Sequence, residues 1–361
     1  MRLFQNTGVS RSYAPRQARL QVGAKGFSGR IAAILEDRYG ASHILQPVYQ
    51  GDSGTFFTSG DDQDLQRAWG AEHGLPPGAS LADLLLAQIE EHRTEVFYNL
   101  DPFRYDAAFI RRLPACVRVC IAWRAAPGDI DFAGYHRVVS NFPSIRAAYE
   151  RQGVATAELF PSHDPVLDDY AGEGDRDIDI LFVGGFSRHH LRRRRLLEAV
   201  AALAGQRKVV FHLDRSRFAA LAASPLGWFG PLAALRQPDA IRRIATAPVF
   251  GRDMYRQLGR SRIVFNAAID MAGPDRGNMR CFEALGARSA LLTDAGDYPD
   301  GMEDDRTLLI YDDVESLVRQ VERALDGDLW RVIGRRGGEM VRETYSKARQ
   351  FQRFEEIVGG V

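Results

Sequence analysis

Ile178-Asp-Ile-Leu-Phe-Val-Gly-Gly185 is an apolar strand pattern that ends in a pair of glycines. The chain continues into a helix pattern whose apolar positions include Leu196, Leu197 and Val200. A strand, a glycine turn and a helix in this order are typical of one βα unit of a parallel sheet. Two prolines and a polar acidic run precede the strand, in residues 161–177, and this break in composition indicates a boundary between domains.

Strand and helix patterns alternate on both sides of this boundary. Before it, strands are predicted at 2–6, 43–49, 95–100, 117–122 and 136–140, and helices at 30–39, 81–91, 105–113 and 144–152. After it, further strands are predicted at 209–213, 262–266, 290–293 and 307–311, and helices at 253–258, 278–285, 314–325 and 346–357. This alternation favours parallel sheets covered on both faces. We therefore predict an α/β protein with two Rossmann-like domains that face a cleft.

The length of the chain agrees with two domains, since 361 residues at about 100–200 residues per domain predict two. We place an N-terminal Rossmann-like domain at 1–165 and a linker at 166–177. A C-terminal Rossmann-like domain follows at 178–345, and a last helix at 346–361 is expected to cross back to the first domain.

Composition narrows the range of functions. Lys and Arg together number 47, as do Asp and Glu, so the formal net charge is zero, which argues against a nucleic-acid partner. The three cysteines, Cys116, Cys120 and Cys281, match no metal or disulfide spacing, and neither a signal peptide nor a run of about 18 apolar residues is visible. We expect a cytoplasmic protein without a transmembrane segment or a metal.

Paired arginines at 111–112 and 242–243 leave two interpretations open. They are either patches for peripheral contact with a membrane or the solvated faces of helices. The sequence does not determine the oligomeric state.

The first candidate site is the turn that follows the strand at 178–185. Gly184 and Gly185 precede a run, Arg188–Arg195, that holds five arginines and two histidines. Glycines let a ligand approach the backbone, and the start of the next helix offers N–H groups and a positive dipole end to a phosphate. The alternative is a tight turn followed by a solvated basic face.

The second candidate site is the loop at 273–277 and the helix that follows it, which come after the strand ending at Asn266. Arg280 and Glu283 share one face of that helix, and Asp275 lies eight positions before Glu283. A carboxylate on the helix can accept hydrogen bonds from ribose hydroxyls, and an acid in the loop can hold sugar hydroxyls. The alternative is a surface ion pair and an aspartate that interacts only with the helix dipole.

Two segments of the second half resemble a known family. Residues 255–267 and Gly277-Asn-Met-Arg-Cys-Phe-Glu-Ala-Leu-Gly286 are similar to the donor half of GT-B glycosyltransferases, in the branch of spore-maturation-type and family 4-like enzymes. The basic turn is similar to a family run of a glycine pair, Ser-x-x-His-x-x-Arg and a leucine-rich helix, which singles out Ser187, His190 and Arg193. The resemblance extends from about residue 95 to residue 357.

The resemblance implies a metal-independent glycosyltransferase that moves a sugar from a nucleoside-diphosphate sugar to an unidentified acceptor. The expected donor is a UDP-sugar, and no other cofactor is implied. Glu283 takes the position of the ribose-binding acid, and Asp275 stands where the family has a glutamate that binds the donor sugar. The nucleotide-binding residues implied by the resemblance are Gly184, Gly185, Ser187, His190, Arg193, Asn266, Arg280 and Glu283, and the catalytic residue on this side is Asp275.

The stereochemistry and the function class leave alternatives open. Family similarity favours retention at the anomeric carbon, whereas an inverting enzyme needs a general base from the first domain, for which Asp101 at a predicted strand end is the candidate. A non-catalytic nucleotide-sugar-binding or scaffold protein of the same fold, in a glycan-assembly system, is the alternative function. The shorter acid at 275 and the unmatched first 90 or so residues keep it open. The first strand lacks a following Gly-x-Gly-x-x-G, which disfavours a nicotinamide-dependent oxidoreductase.

Overall fold

The computed structural model describes residues 1–172, 174–186, 190–214, 238–268 and 273–361. The chain forms two compact units, Met1–Pro161 together with Lys347–Val361, and Ser162–Ser346. Each unit is built around one six-stranded sheet whose described strand pairs all run parallel. Helices accompany both sheets, so each unit has the α/β architecture that the alternating pattern predicts.

The sheet of the first unit has the strand order β2-β1-β3-β4-β5-β6. Its strands are β1 Leu3–Thr7, β2 Thr55–Ser59, β3 Val96–Asn99, β4 Val119–Trp123, β5 Arg137–Ser140 and β6 Thr156–Glu158. Its helices are α1 Ala14–Leu20, α2 Gly26–Asp37, α3 Gln46–Gln50, α4 Gln63–Glu72, α5 Leu81–Glu91, α6 Ala107–Ile110 and α7 Pro143–Glu150. Strand β3 is buried on both faces, as expected for a parallel sheet with helices on either side.

The sheet of the second unit has the strand order β12-β11-β10-β7-β8-β9. Its strands are β7 Ile178–Gly185, β8 Val209–Asp214, β9 Ala245–Thr246, β10 Ser261–Phe265, β11 Ala290–Asp294 and β12 Leu309–Tyr311. Its described helices are α8 Leu191–Ala202, α9 Asp239–Ile244, α10 Gly251–Gly259, α11 Met279–Gly286, α12 Val314–Leu325 and α13 Leu329–Thr344. The buried aromatic rings of Phe182, Phe211 and Phe265 pack against one another at a tilt across neighbouring strands and fill the core.

The last helix, α14 Lys347–Gly359, belongs to the first unit. Phe354 packs on Tyr98 with 4.9 Å between the ring centroids. Lys347 is buried, and its ammonium group donates hydrogen bonds to the carbonyl oxygens of Ala41 and Ile44 at 2.6 and 2.8 Å. Helix α14 is therefore held by apolar packing and by a buried cation that satisfies two carbonyl groups.

The first and last residues of the second unit lie next to each other in space. The backbone N–H of His163 donates to the carbonyl oxygen of Tyr345 at 2.7 Å, and His163 also forms a parallel bridge with Ser346. The 3-10 helix Pro165–Tyr170 lies inside this unit.

The prediction of a strand at 43–49 is wrong. This segment forms a short 3-10 helix, Ala41–His43, and then α3, in which Pro47 occupies the first turn. Its buried apolar residues, Ile44, Leu45 and Val48, produced the strand-like pattern. The strand of this region is β2, which the prediction missed.

The prediction also missed α13, a helix of 16 residues. Gly334, Gly337 and Gly338 lower its intrinsic helix propensity, since each glycine costs about 1 kcal/mol relative to alanine. The fold uses them for close packing. A Cβ atom on Gly334 would lie 2.2 Å from the carbonyl oxygen of Arg288, and one on Gly337 would lie 2.6 Å from that of Thr307.

Candidate active site

The carboxyl ends of three adjacent strands bring the predicted residues of the second unit to one edge of the sheet. Strand β7 ends at Gly185, Asn266 follows β10, and β11 ends at Asp294, with the order β11-β10-β7. Open α/β sheets bind ligands outside the carboxyl ends of their strands. We call this region, from the glycine pair to Asp294 with the adjacent starts of α8 and α11, the second carboxyl edge.

A buried carboxylate that the sequence analysis did not select connects the parts of this edge. Asp294 is fully buried, and its Oδ2 lies 2.9 Å from Arg276 and 3.1 Å from Arg192 at the start of α8. Its Oδ1 accepts a hydrogen bond from the backbone N–H of Ala268 at 2.9 Å. One acid thus ties the loop before α11, the start of α8 and the segment after β10 together. A strand-final aspartate gives no sequence signal of this role.

Asn266 is buried and has partners inside the protein. Its Nδ2 donates to Thr293 Oγ1 at 3.1 Å, and its Oδ1 accepts from Asn278 Nδ2 at 3.3 Å. Its carbonyl oxygen accepts from the Tyr311 hydroxyl at 2.9 Å. Because Asn278 is the N-cap residue of α11, the Asn266 side chain fixes the position at which that helix begins.

Glu283 lies on the buried face of α11, with 3% of its surface exposed. Arg280 Nη1 lies 2.6 Å from Glu283 Oε2. Burial raises the pKa of Glu283, the Arg280 charge lowers it, and the carboxylate of Asp164 raises it. The alternative of a surface ion pair is therefore wrong, because the pair is withdrawn from solvent. An ion pair in such a place needs good geometry to offset its desolvation.

Asp164 and Tyr255 form a second buried layer next to Glu283. The Tyr255 hydroxyl donates to Asp164 Oδ2 at 3.1 Å, and both side chains are almost fully buried. Helix α10 carries Tyr255, so the α10–α11 region presents two acids, one arginine and one phenol in a small volume.

Asp275 is also buried, in a loop held by backbone hydrogen bonds. The N–H of Arg276 donates to the carbonyl oxygen of Asp297 at 2.8 Å, and the N–H of Asp297 donates to that of Pro274 at 2.9 Å. The guanidinium of Arg276 donates to the carbonyl oxygens of Gly273 and Asp275. Gly273 has a φ of 64°, in the left-handed region that glycine favours. The loop is thereby fixed relative to the segment after β11.

The glycine turn is shaped by one of the predicted arginines. The Arg193 guanidinium lies 5.3 Å from the centroid of the Phe182 ring. A Cβ atom on Gly184 would lie 3.0 Å from both the Arg193 guanidinium and the Phe182 ring, whereas one on Gly185 would have no neighbour within 4 Å among the described residues. Gly184 is thus required for the packing of Arg193, and Gly185 leaves room next to the backbone.

His190 is the N-cap residue of α8 and is half-buried. Within the described part of the chain, its Nδ1 has no hydrogen-bond partner. Ser187, the remaining residue of the predicted phosphate turn, lies outside the described residues.

The first unit carries a pair of acids at the corresponding edge of its own sheet. Asp61 follows β2 and Asp101 follows β3, and Arg104 lies 3.8 Å from Asp61 and 3.3 Å from Asp101. The backbone N–H of Val9 donates to Asp61 at 3.0 Å. We call this region, the residues 8–9, 60–61 and 100–104, the first carboxyl edge.

The pKa of Asp61 is raised. Burial raises its pKa, the hydrogen bond from Val9 lowers it, and the charge of Asp101 raises it. Sequence reasoning selected Asp101 and missed Asp61 because the strand before Asp61 was placed at 43–49.

A buried amide network supports the first carboxyl edge. Asn6 Nδ2 donates to Asn99 Oδ1 at 2.8 Å, and the same oxygen accepts from the backbone N–H of Asp101 at 3.0 Å. Asn6 Oδ1 accepts from the N–H of Gly60 at 2.9 Å. These bonds fix the segments that carry both acids.

The sequence analysis expected neither a metal site nor a transmembrane segment. Within the described ranges, no group of three or more His, Cys, Asp or Glu side chains is placed to hold a metal ion. None of the helices in the described part of the chain is long and apolar enough to cross a membrane.

The fold, two α/β units that each contain a six-stranded parallel sheet, is that of the GT-B glycosyltransferases. The structure of Anabaena HepE in complex with UDP-glucose is similar with a TM-score of 0.60 at 12% identity, over 99% of each chain. AviGT4, a glycosyltransferase involved in avilamycin A biosynthesis, gives 0.58 at 12% identity, over 99% of this chain and 96% of its own. S. aureus TarM gives 0.54 at 11% identity, over 77% of this chain and 58% of its own. The predicted fold class is confirmed.

A family model matches the C-terminal part of the sequence. Residues 189–356 match the family model described as glycosyl transferase-like. No curated protein matches the sequence. The resemblance to GT-B glycosyltransferases is thereby confirmed, and the roles of individual residues stay predictions.

Proposed function

We propose that the protein transfers a sugar from a nucleoside-diphosphate sugar, with the donor on the second carboxyl edge. The observation that carries this proposal is the buried Glu283 carboxylate, paired with Arg280 on a helix that begins at the carboxyl ends of the strands. A buried carboxylate held in one orientation suits recognition of two adjacent hydroxyl groups, such as those of a ribose. The loop acid Asp275 then faces the transferred sugar.

The diphosphate is proposed to bind at the glycine turn. Gly185 leaves open space beside the backbone, His190 carries a ring nitrogen without a partner among the described residues, and Arg193 supplies a fixed cation. Negative charge builds on the diphosphate as the glycosidic bond breaks. Preorganised cations at this point stabilise the transition state more than the ground state, without need of a metal.

We propose that two residues, Asn266 from the sequence prediction and Asp294 from the structure, position other side chains of the site. Asn266 holds Asn278 at the start of α11, and Asp294 holds Arg192 and Arg276. Neither role requires contact with the ligand, and both would keep Glu283 and the phosphate turn in place.

A UDP-sugar is the donor that we propose, since HepE has a similar fold and is described in complex with UDP-glucose. The acceptor is proposed to bind at the first carboxyl edge. If the transfer inverts, the acceptor hydroxyl needs a base, and Asp61, whose pKa is raised, is a candidate for this role beside Asp101. If Asp61→Asn and Asp101→Asn both keep full turnover, neither acid is the base that inversion needs, and the retaining route is left.

The proposal is tested by thermal-shift measurements with UDP, GDP, dTDP, CMP and NAD, followed by an assay of donor hydrolysis and transfer. A ligand at about 100 times its dissociation constant adds about 2.7 kcal/mol to the free energy of unfolding. We expect a selective shift with UDP and release of UDP from a UDP-sugar. A shift without turnover would favour the non-catalytic alternative, and the absence of any shift would contradict the donor site.

A further inference from the structure

A cavity of about 260 Å³ lies in the second unit, away from the second carboxyl edge. Arg176 lines it two residues before β7 begins, and Arg288 lines it two residues before β11 begins. The cavity is therefore at the amino ends of the strands, the opposite edge of the same sheet. Helix α13 supplies most of the remaining wall. We call it the arginine cavity.

The charges that line the arginine cavity are mostly positive. The charged residues of its wall are Arg176, Arg288, Arg331, Arg335 and Asp328. Asp328, the acid among the described residues of the wall, lies 3.8 Å from Arg331. Burial, together with the charges of Arg331 and Arg288, lowers the pKa of Arg176 to about 10. The guanidinium groups thus repel one another, and an anion among them would relieve this repulsion.

Arg176 is held rigidly, with 5% of its surface exposed. Its Nη1 donates to the carbonyl oxygen of Ser261 at 2.8 Å and to Ser289 Oγ at 3.0 Å, and its Nη2 donates to the carbonyl oxygen of Ala287 at 2.9 Å. The buried charge is consequently fixed beside the cavity before any ligand arrives, so binding does not have to order it.

Trp330 provides an aromatic wall and a scaffold for the cations. The guanidinium of Arg331 lies 4.7 Å from the centroid of the Trp330 ring, and that of Arg176 lies 5.7 Å from it. Trp330 is also in the first turn of α13, whose positive dipole end favours an anion. The helix start and the four arginines both favour an anion, and the ring holds two of the guanidinium groups in place.

We propose that the arginine cavity binds a phosphoryl group of a ligand that is not the sugar donor. Guanidinium groups match the geometry of phosphate oxygens and bind them in bidentate fashion. The four arginines among the described residues of the wall favour a group with more than one negative charge over a single carboxylate. Pockets for drug-sized ligands have volumes of about 300–1,000 Å³, so a cavity of about 260 Å³ suits a small anionic group.

The test uses the full chain and inorganic pyrophosphate, titrated by calorimetry with and without saturating UDP. The variant is Arg331→Gln with Arg335→Gln, which removes two cations of the cavity but leaves the structural Arg176 intact. Arg336→Gln is the matched control, because Arg336 is exposed on the same helix and does not line the cavity. Glu283→Ala is the control for the second carboxyl edge.

We expect UDP to leave one pyrophosphate site accessible, and we expect the double variant to weaken that site by about tenfold or more. Arg336→Gln and Glu283→Ala should bind pyrophosphate at this site like the wild type, while the double variant should still bind UDP. Loss of UDP binding in Glu283→Ala alone therefore reports on the donor site and not on the cavity.

A second arm asks whether the phosphoryl group belongs to a lipid. Vesicles of phosphatidylglycerol and phosphatidylcholine are sedimented with the wild type, the double variant and Arg336→Gln. Binding to anionic vesicles that only the double variant loses, without a pyrophosphate site, would assign the group to a lipid headgroup. The proposal would be overturned if the double variant bound pyrophosphate and anionic vesicles as well as the wild type does. It would also be overturned if the wild type bound neither probe.

Discussion

The two carboxyl edges differ in how their acids are neutralised. In the second unit, Glu283 is paired with Arg280, and Asp294 is paired with Arg276 and Arg192. In the first unit, Asp61 and Asp101 share the single Arg104. The carboxylates of Glu283 and Asp294 are buried, while those of Asp61 and Asp101 are partly exposed and share one arginine.

This difference separates two kinds of task. A buried acid that is paired with an arginine keeps a fixed orientation, which suits binding of hydroxyl groups and support of a phosphate turn. In the first unit, burial and the charge of Asp101 raise the pKa of Asp61, which suits proton transfer. Four predictions test this comparison.

The largest effect is expected at Asp294. Asp294→Ala should lower the free energy of unfolding by about 3–5 kcal/mol, because Arg276 then keeps a buried charge without its partner. Urea unfolding measures this change. Asp326→Ala, which removes an exposed partner of Arg207, is the control and should cost less than about 1 kcal/mol. Equal losses in the two variants would refute the role of Asp294.

Glu283→Ala should weaken UDP binding by about 1–3 kcal/mol, the cost of lost hydrogen bonds to a charged group. Calorimetry on the folded variant measures the affinity. Glu303→Ala is the control, because Glu303 forms an exposed pair with Arg306. Unchanged UDP affinity in a folded Glu283→Ala protein would remove Glu283 from the donor site.

The two glycines of the turn should respond differently. Gly184→Ala should lower the free energy of unfolding by about 1 kcal/mol, because its methyl group meets Arg193 and Phe182 at 3.0 Å. Gly185→Ala has open space in the free protein and should unfold like the wild type. If the diphosphate fills that space, Gly185→Ala will weaken UDP binding. Wild-type affinity in Gly185→Ala would move the diphosphate elsewhere.

The smallest effect is a pH dependence at the first carboxyl edge. The pKa of Asp61 is raised in the folded protein, so its contribution to stability is present at low pH and is lost as the pH rises through the folded pKa. Asp61→Asn removes this loss, so the variant should gain stability relative to the wild type between acid and neutral pH. Urea unfolding at several pH values, with Asp101→Asn as the comparison, measures it. A difference that does not change with pH would show that Asp61 is not perturbed.

Much of the second carboxyl edge was predictable from the sequence. Strand β7 is a largely apolar run that ends in glycines, and α11 follows a loop with a good N-cap residue, so Gly184 was placed at a strand end and Glu283 on the helix. The GT-B fold followed from the same pattern and is confirmed. Burial of Glu283 was not predictable, because a charged residue three positions from an arginine has the pattern of a surface pair.

The remaining residues were missed for reasons of packing. Asp61 follows β2, and the prediction missed this short strand because it assigned the strand to the apolar segment before it, which is helical. Asp294 acts through Arg276 and Arg192, which are 18 and 102 positions away, and no local pattern records such distances. Helix α13 has glycines that lower helix propensity and are explained by the close approach of Arg288 and Thr307.

The assignment of α14 to the first unit has a consequence for synthesis. The first unit is discontinuous, since Met1–Pro161 lacks the helix that begins at Lys347 until the whole second unit has left the ribosome. The second unit is continuous, and its two ends are joined by the hydrogen bond between His163 and Tyr345. It can therefore complete its core first, and the first unit finishes last, when Phe354 reaches Tyr98.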